Sequence, residues 1–261
     1  MIDYLYHYTN LDTLKKILGN KTFRLSSLSR MDDLEEGDTE DFERFGRYIY
    51  ISSWTNYSEE SLLLWNYSRG DDGVRIRMKP HIFKTERINK VIDIHGFNVP
   101  VNDVFHLGIL ELMKKENLLF MPPRAELKKV TYTDLERLLK PKVYHEYPGD
   151  HFAIETQNLG IFKRTEWQEQ REWRYRLSSL PLNLGEFESY VHTGDKRQLL
   201  NKLRSRQEKN YIDLPLNENA FDELEILCGP LMSEAGKSEL EEIVQTYVPD
   251  AVIKYSKLKM R

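Results

Sequence analysis

One cysteine, Cys228, is all the thiol chemistry this chain has. A lone thiol closes no internal disulfide and builds no cysteine zinc cluster, so a reducing, cytoplasmic setting is the simplest expectation. Long apolar runs are missing too. No stretch approaches the roughly 20 residues that a membrane-crossing helix needs. The opening residues MIDYLYHYTN have no basic start, and Asp3 and His7 interrupt the apolar ones, so no signal peptide is expected. Charge of either sign is not in excess. With 38 Lys and Arg against 42 Asp and Glu, the formal net charge is −4, which gives no global grip on nucleic acid. Two basic stretches, Lys202–Lys209 and Lys254–Arg261, read as solvated faces. Several catalytic signatures are also absent: there is no Gly-rich phosphate loop, no GxGxxG, no HExxH and no GxSxG elbow. The seven histidines are scattered, so no histidine metal cluster is expected. Cys228 sits in an apolar stretch before Gly229-Pro230 and reads as buried rather than nucleophilic.

What the chain does have is enough apolar residue for a core. Hydrophobic residues make up 40% and charged residues 31% of 261, which excludes a disordered chain. Strands and helices alternate. Tyr4 to Tyr8 is an aromatic strand, and Thr9-Asn10 can cap a helix in which Leu11, Leu14, Ile17 and Leu18 recur at helical spacing. Thr22 to Leu25, Tyr48 to Trp54 and Val74 to Met78 read as strands, Ser26 to Asp41 as a polar loop, and Leu62 to Tyr67 as a helix opened by Ser58–Ser61. Gly70 to Gly73 reads as a turn, and Pro148 to Asp150 as a break. Between 80 and 150 the pattern predicts a helical insertion, centred on Val104 to Lys115, with a strand at Lys128–Tyr132 and a helical turn at Asp134–Leu139. Later come strands at Trp173–Leu177, Leu224–Cys228 and Ala251–Tyr255, and helices at Lys196–Glu208 and Ser238–Tyr247. One α+β domain over 1–261 is the expectation.

Four places could carry chemistry. His7, where the first strand meets the first helix, can donate to a ligand, with Thr9 near the anion-friendly helix start. The other reading is a half-buried structural histidine beside a capping threonine. Asp32-Asp33-Leu34-Glu35-Glu36-Gly37-Asp38 gathers carboxylates, but not at calcium-loop spacing, so a solvated acidic loop is expected. Ser53 at a strand end, followed by Trp65 and Tyr67 on a helix, can build a stacking pocket for a flat ring; Tyr67 is the better ring for it, since Trp65 also reads as core. Finally, Gln170 and Glu172 are two apart. At the start of a strand both would face one side, where a carboxylate can stabilise a cationic centre. Alternatively, Glu172 and Arg174 form surface pairs on a solvated strand edge.

The order of these features resembles a widespread bacterial domain family of unknown function. The segments that carry the likeness are Tyr6-His7-Tyr8-Thr9, Arg24-Leu25-Ser26, Asp32-Asp33-Leu34-Glu35-Glu36, Ser53-Trp54-Thr55, Leu64-Trp65, Gly73-Val74-Arg75-Ile76, Lys163, Trp167, Glu172-Trp173-Arg174 and Ile226 to Pro230. Asp32 and Leu34 stand where that family has Asn and Pro. The family in turn is similar to ADP-ribosyltransferases of the diphtheria-toxin-like and PARP-like branch. That likeness implies a mixed, split sheet flanked by helices and NAD as substrate. It places His7 on the NAD ribose, Tyr67 (or Trp65) on nicotinamide, and Glu172 on the ribose 2′-hydroxyl, with Gln170-Arg171-Glu172 as the Gln/Glu-x-Glu element. Thr9, Arg24, Ser53, Trp65 and Gln170 are the implied NAD-binding residues. The acceptor would be a protein or a nucleic acid, and a toxin or phage-defence effector is the implied setting. A non-catalytic nucleotide- or partner-binding module and a metal-dependent nuclease on the acidic run are the alternatives.

Overall fold

The first strand, β1 (Leu5–Asn10), runs directly into helix α1 (Leu11–Asn20). Asn10, not Thr9, is the cap: its side chain accepts from the Thr13 N–H at 2.9 Å. Helix α1 buries Leu11, Leu14, Ile17 and Leu18 on one face, and Lys21 in a left-handed conformation ends it. The computed structural model describes residues 2–68, 71–94, 96–149, 151–205 and 209–259. Gly70 of the expected turn, Asp150 of the expected break, the last residues of the expected helix ending at 208, and Met260 and Arg261 of the basic tail lie outside them.

Next come β2 (Thr22–Ser27), β3 (Ile49–Thr55), the short helix α2 (Leu62–Trp65) and β4 (Gly73–Met78). Ser61 caps α2, and a 3-10 turn over Asn66–Ser68 continues it. The expected helical insertion is mostly strand. Residues Thr85–Ile94 (β5) and Phe97–His106 (β6) pair over ten positions as a long antiparallel hairpin, and only Ile109–Glu116 (α3) is helical. The apolar spacing that suggested a helix from Val104 straddles the end of β6 and the start of α3. Short strands β7 (Leu119–Phe120), β8 (Glu126–Lys129) and β9 (Thr131–Tyr132), helix α4 (Glu136–Leu139), the ladder β10 (Tyr144–Tyr147) with β11 (His151–Ile154), and β12 (Phe162–Lys163) complete this region.

A 3-10 turn over Thr165–Gln170 delivers β13 (Glu172–Leu180). Then follow α5 (Leu184–Thr193), α6 (Lys196–Leu203), β14 (Tyr211–Pro215), β15 (Glu225–Cys228), α7 (Glu234–Tyr247) and β16 (Val252–Tyr255). The main sheet has ten strands in the order β14-β2-β3-β1-β4-β15-β16, with β13 pairing β3, β7 and β8. It is mixed: β15 and β16 are parallel, the other pairs antiparallel. One feature of the strand pairing shapes the site. Along one edge, β3 pairs with β2 at Tyr50 and Ile51 and with β1 only at Thr55. Between those contacts the sheet splits. One hydrophobic cluster runs from α1 through the sheet to α7 and the β5–β6 hairpin. No helix of the described residues is long and apolar enough to cross a membrane.

Candidate functional site

The split in the sheet is where the site begins. A backbone carbonyl at a gap between strands needs a donor from elsewhere. The Ser53 carbonyl, in that gap, lies 2.7 Å from His7 Nδ1. A carbonyl only accepts, so Nδ1 carries the proton and Nε2 keeps its lone pair. The ring packs against Phe23 and Trp54, with centroids 5.0 and 5.1 Å away. Burial pushes the His7 imidazole down to about 4, against the opposing pull of the Ser53 carbonyl, so it is neutral near pH 7.

A cleft opens over this point, with about 780 Å³ of empty space including its mouth. His7, Ser53, Tyr67, Gln170 and Glu172 all line it, alongside Tyr6, Tyr8 and Trp54. The short helix and the turn after it set Tyr67 at the rim, 38% exposed, where its hydroxyl accepts from Gln170 Nε2 at 2.7 Å. Burial pushes its phenol up. Gln170 and Glu172 reach the cleft by a different route from strand alternation. Gln170 ends the 3-10 turn, Arg171 is left-handed at φ 47°, and Glu172 then opens β13. That single reversed residue lets neighbours on either side face the same space while Arg171 lies over the Tyr57 ring, 4.2 Å from its centroid.

Below the cleft lies a buried ionic cluster. Arg174, 1% exposed, donates through Nε and Nη2 to the two oxygens of Glu172 at 2.7 and 2.8 Å. Its Nη1 donates to Glu36, and Nη2 reaches the other Glu36 oxygen at 3.2 Å. The Lys163 ammonium donates to Gln170 Oε1 at 2.8 Å and stands 3.7 Å from Glu172 and 3.9 Å from Glu36. Two cations thus balance two carboxylates in a place water barely reaches. Burial alone would raise the Glu172 carboxyl, but Arg174 first, then Lys163 and Ser53, hold it below the ordinary carboxylate range. The Glu172 amide donates to the Tyr132 hydroxyl at 2.9 Å, which fixes the start of β13.

Other expected residues fall elsewhere. Arg24 is exposed, clamps Asp213 at 2.8 and 2.9 Å and stacks on Tyr211, because β2 turns it toward β14 and away from the cleft. Trp65 is buried behind the cleft, edge-on to Tyr8, its N–H on Glu60 at 3.2 Å; it packs the underside of α2. Thr9 is buried at the end of β1 beside Val74 and does not line the cleft. The acidic run is not one solvated face: Glu36 is a buried partner of Arg174, and Glu35 is held by Arg164 at 2.6 Å. Nor do Glu172 and Arg174 make a surface pair, since both side chains are buried. Among the described residues no three His, Cys, Asp or Glu side chains are grouped to hold a metal ion. In the basic tail, Lys254 is paired with buried Glu225 at 2.6 Å.

Sequence reasoning missed Glu36 and Tyr132, and it did not foresee that Lys163 and Arg174 would be buried. The one available signal was the crowding of cations at Lys163, Arg164, Arg171 and Arg174, which had to find carboxylates if any were buried. No family model, no curated protein and no solved structure matches this chain.

Proposed function

We propose that the cleft binds NAD and that the protein is an ADP-ribosyltransferase-like enzyme. In this reading it breaks the nicotinamide–ribose bond and passes ADP-ribose to a protein or nucleic-acid acceptor, in the manner of a toxin or phage-defence effector. One observation carries the reading: His7, Ser53, Tyr67, Gln170 and Glu172, from four separate stretches of chain, line one cleft. Each has the chemistry its place would need. Neutral His7 offers Nε2 as an acceptor for a ribose hydroxyl. The half-exposed Tyr67 ring offers a flat face to nicotinamide. Glu172 supplies negative charge beside the ribose carbon as positive charge develops there. Positioning and electrostatics would do the work, with no covalent intermediate on the protein.

One specific observation favours a second reading. Both Glu172 oxygens are held by Arg174, and a carboxylate neutralised in this way attracts a developing cation less. This favours a module that binds a nucleotide without cleaving it. The two separate in a single experiment, which follows NAD binding by calorimetry and nicotinamide release by chromatography, with and without chelator. The expected outcome is chelator-resistant nicotinamide release that drops about a hundredfold or more in Glu172→Gln. Saturable NAD binding with no release selects the binding module. Release that is unchanged in Glu172→Gln removes Glu172 from the catalytic role.

A further inference from the structure

Strand β13 carries a second arginine two residues beyond Arg174, and its surroundings are different. Arg176 is 2% exposed. Its Nε donates to the Leu159 carbonyl at 2.5 Å and its Nη2 to the Thr156 carbonyl. No carboxylate among the described residues forms an ion pair with it, and Nη1 has no protein acceptor there. The other buried arginines have partners that suit a cation. Arg174 has two carboxylates, Arg75 lies over the rings of Tyr6 and Tyr8 at 4.7 and 5.8 Å, and Arg47, which also donates to two backbone carbonyls, lies over the Tyr48 ring at 5.6 Å. Arg176 instead opens into a separate cavity with about 560 Å³ of empty space, lined also by Thr156, Ser178, Glu126 and Met121. Ser178 donates its hydroxyl to Thr156 Oγ1 at 2.7 Å. The Thr156 hydroxyl proton is thereby left with no acceptor among the described residues. The cavity therefore presents a buried guanidinium edge and a hydroxyl donor. One carboxylate, Glu126, is in the wall opposite Arg176 in register; it is partly exposed, sits 3.5 Å from Lys128 and forms no ion pair with Arg176, so it offsets the buried guanidinium only in part.

We propose that this cavity is a binding site for a small oxyanion of the phosphate type, held by Arg176 Nη1 and the Thr156 hydroxyl. The chemistry is that of a charge-assisted hydrogen bond in a place of low dielectric, where a buried cation without a carboxylate gains most from an anion. Burial lowers the Arg176 guanidinium to about 10, with Glu126 only partly opposing, and a bound anion would relieve that penalty. The site is independent of the NAD reading, because it shares no lining residue with the cleft.

The test uses the full chain. Inorganic phosphate is titrated by calorimetry, and thermal melts are compared in phosphate and in chloride at equal ionic strength. The wild-type protein is expected to bind phosphate saturably and to melt higher in phosphate. In Thr156→Val, which removes the donor and nearly preserves shape, affinity should fall roughly tenfold. Arg176→Gln should abolish the response. If that variant does not fold, Thr156→Val alone decides. No saturable binding by wild type, or binding untouched by Thr156→Val, overturns the site.

Discussion

Glu36 shows what a residue can do that its neighbourhood in sequence does not announce. In the chain it is one more acid in a run of five between residues 32 and 38. In the fold it is 3% exposed at the side chain and supplies the second carboxylate to Arg174. With Glu36 gone, Arg174 and Lys163 face Glu172 alone, and a buried positive charge is left over. Breaking a buried pair in this way costs about 3 kcal/mol or more. Glu36→Ala is therefore expected to lower unfolding free energy by about that amount in a denaturant titration. A change within about 0.5 kcal/mol would place this cluster in contact with water after all. His7 and Tyr67 could be singled out at this scale because each stands in a locally marked aromatic segment; His7 lies within β1 and Tyr67 in the 3-10 turn that continues α2. Glu36 was not legible, since its partner lies 138 residues away. Arg24, which only the resemblance implied, does not line the cleft: β2 sets it opposite Asp213 of β14, a partner 189 residues away that the sequence around Arg24 does not show.

Among elements, the strands framing the site followed alternation and flanking turns, and β1, α1, β3, β4, β15 and β16 lie close to where the pattern put them. Strand β14 and helix α5 went unread, as did the β5–β6 hairpin. In β5, Ile88, Val91 and Ile92 follow helical spacing although Val91 is exposed and Ile88 and Ile92 are buried, so the local pattern misleads; β14 is only five residues long. A more local constraint holds β4 against the turn after β15. The Gly229 amide donates to the Gly73 carbonyl at 2.9 Å, and a side-chain carbon on Gly229 would come within 2.6 Å of that same oxygen. Backbone cannot yield as a flexible side chain does. Gly229→Ala should therefore destabilise by about 1–3 kcal/mol, the range of an overpacked core. Differential scanning calorimetry is the check, with Gly194→Ala as a comparison for strain without crowding, since nothing lies near that position but its φ is +66°.

For the whole molecule, acid is the natural perturbation. His7 titrates at about 4 when folded and near 6.5 when free, so as pH falls between those values the unfolded chain takes up a proton that the folded chain refuses. Stability declines across that window. Glu172 is held below the ordinary carboxylate range, so its contribution is present above that range and is lost as pH falls through its folded value. Both effects have the same sign, so melting temperature should be level from pH 8 to about 6.5 and then fall steadily. His7→Asn keeps a donor for the Ser53 carbonyl and does not titrate; it should make the decline between pH 6.5 and about 4 shallower, with the remainder coming from His106, whose imidazole is also pushed down by burial. A wild-type melting temperature unchanged down to pH 4.5 would contradict the burial of His7.

Strand β13 has a further consequence for how the chain finds its fold. Glu172, Arg174, Arg176 and Ser178 alternate with Trp173, Tyr175 and Leu177. One face is ionic and hydroxylic, the other aromatic and aliphatic. Both are covered, and the strand is bordered by β3 on one side and by β8 and β7 on the other. An ordinary half-exposed strand that slips by one position wets its apolar side chains. If this strand slipped by one, two arginines and a glutamate would enter the aromatic core while Tyr175 and Leu177 met the carboxylates, so a one-residue slip is penalised on both faces at once. The charges on this strand therefore also help to fix its register against β3 and β8.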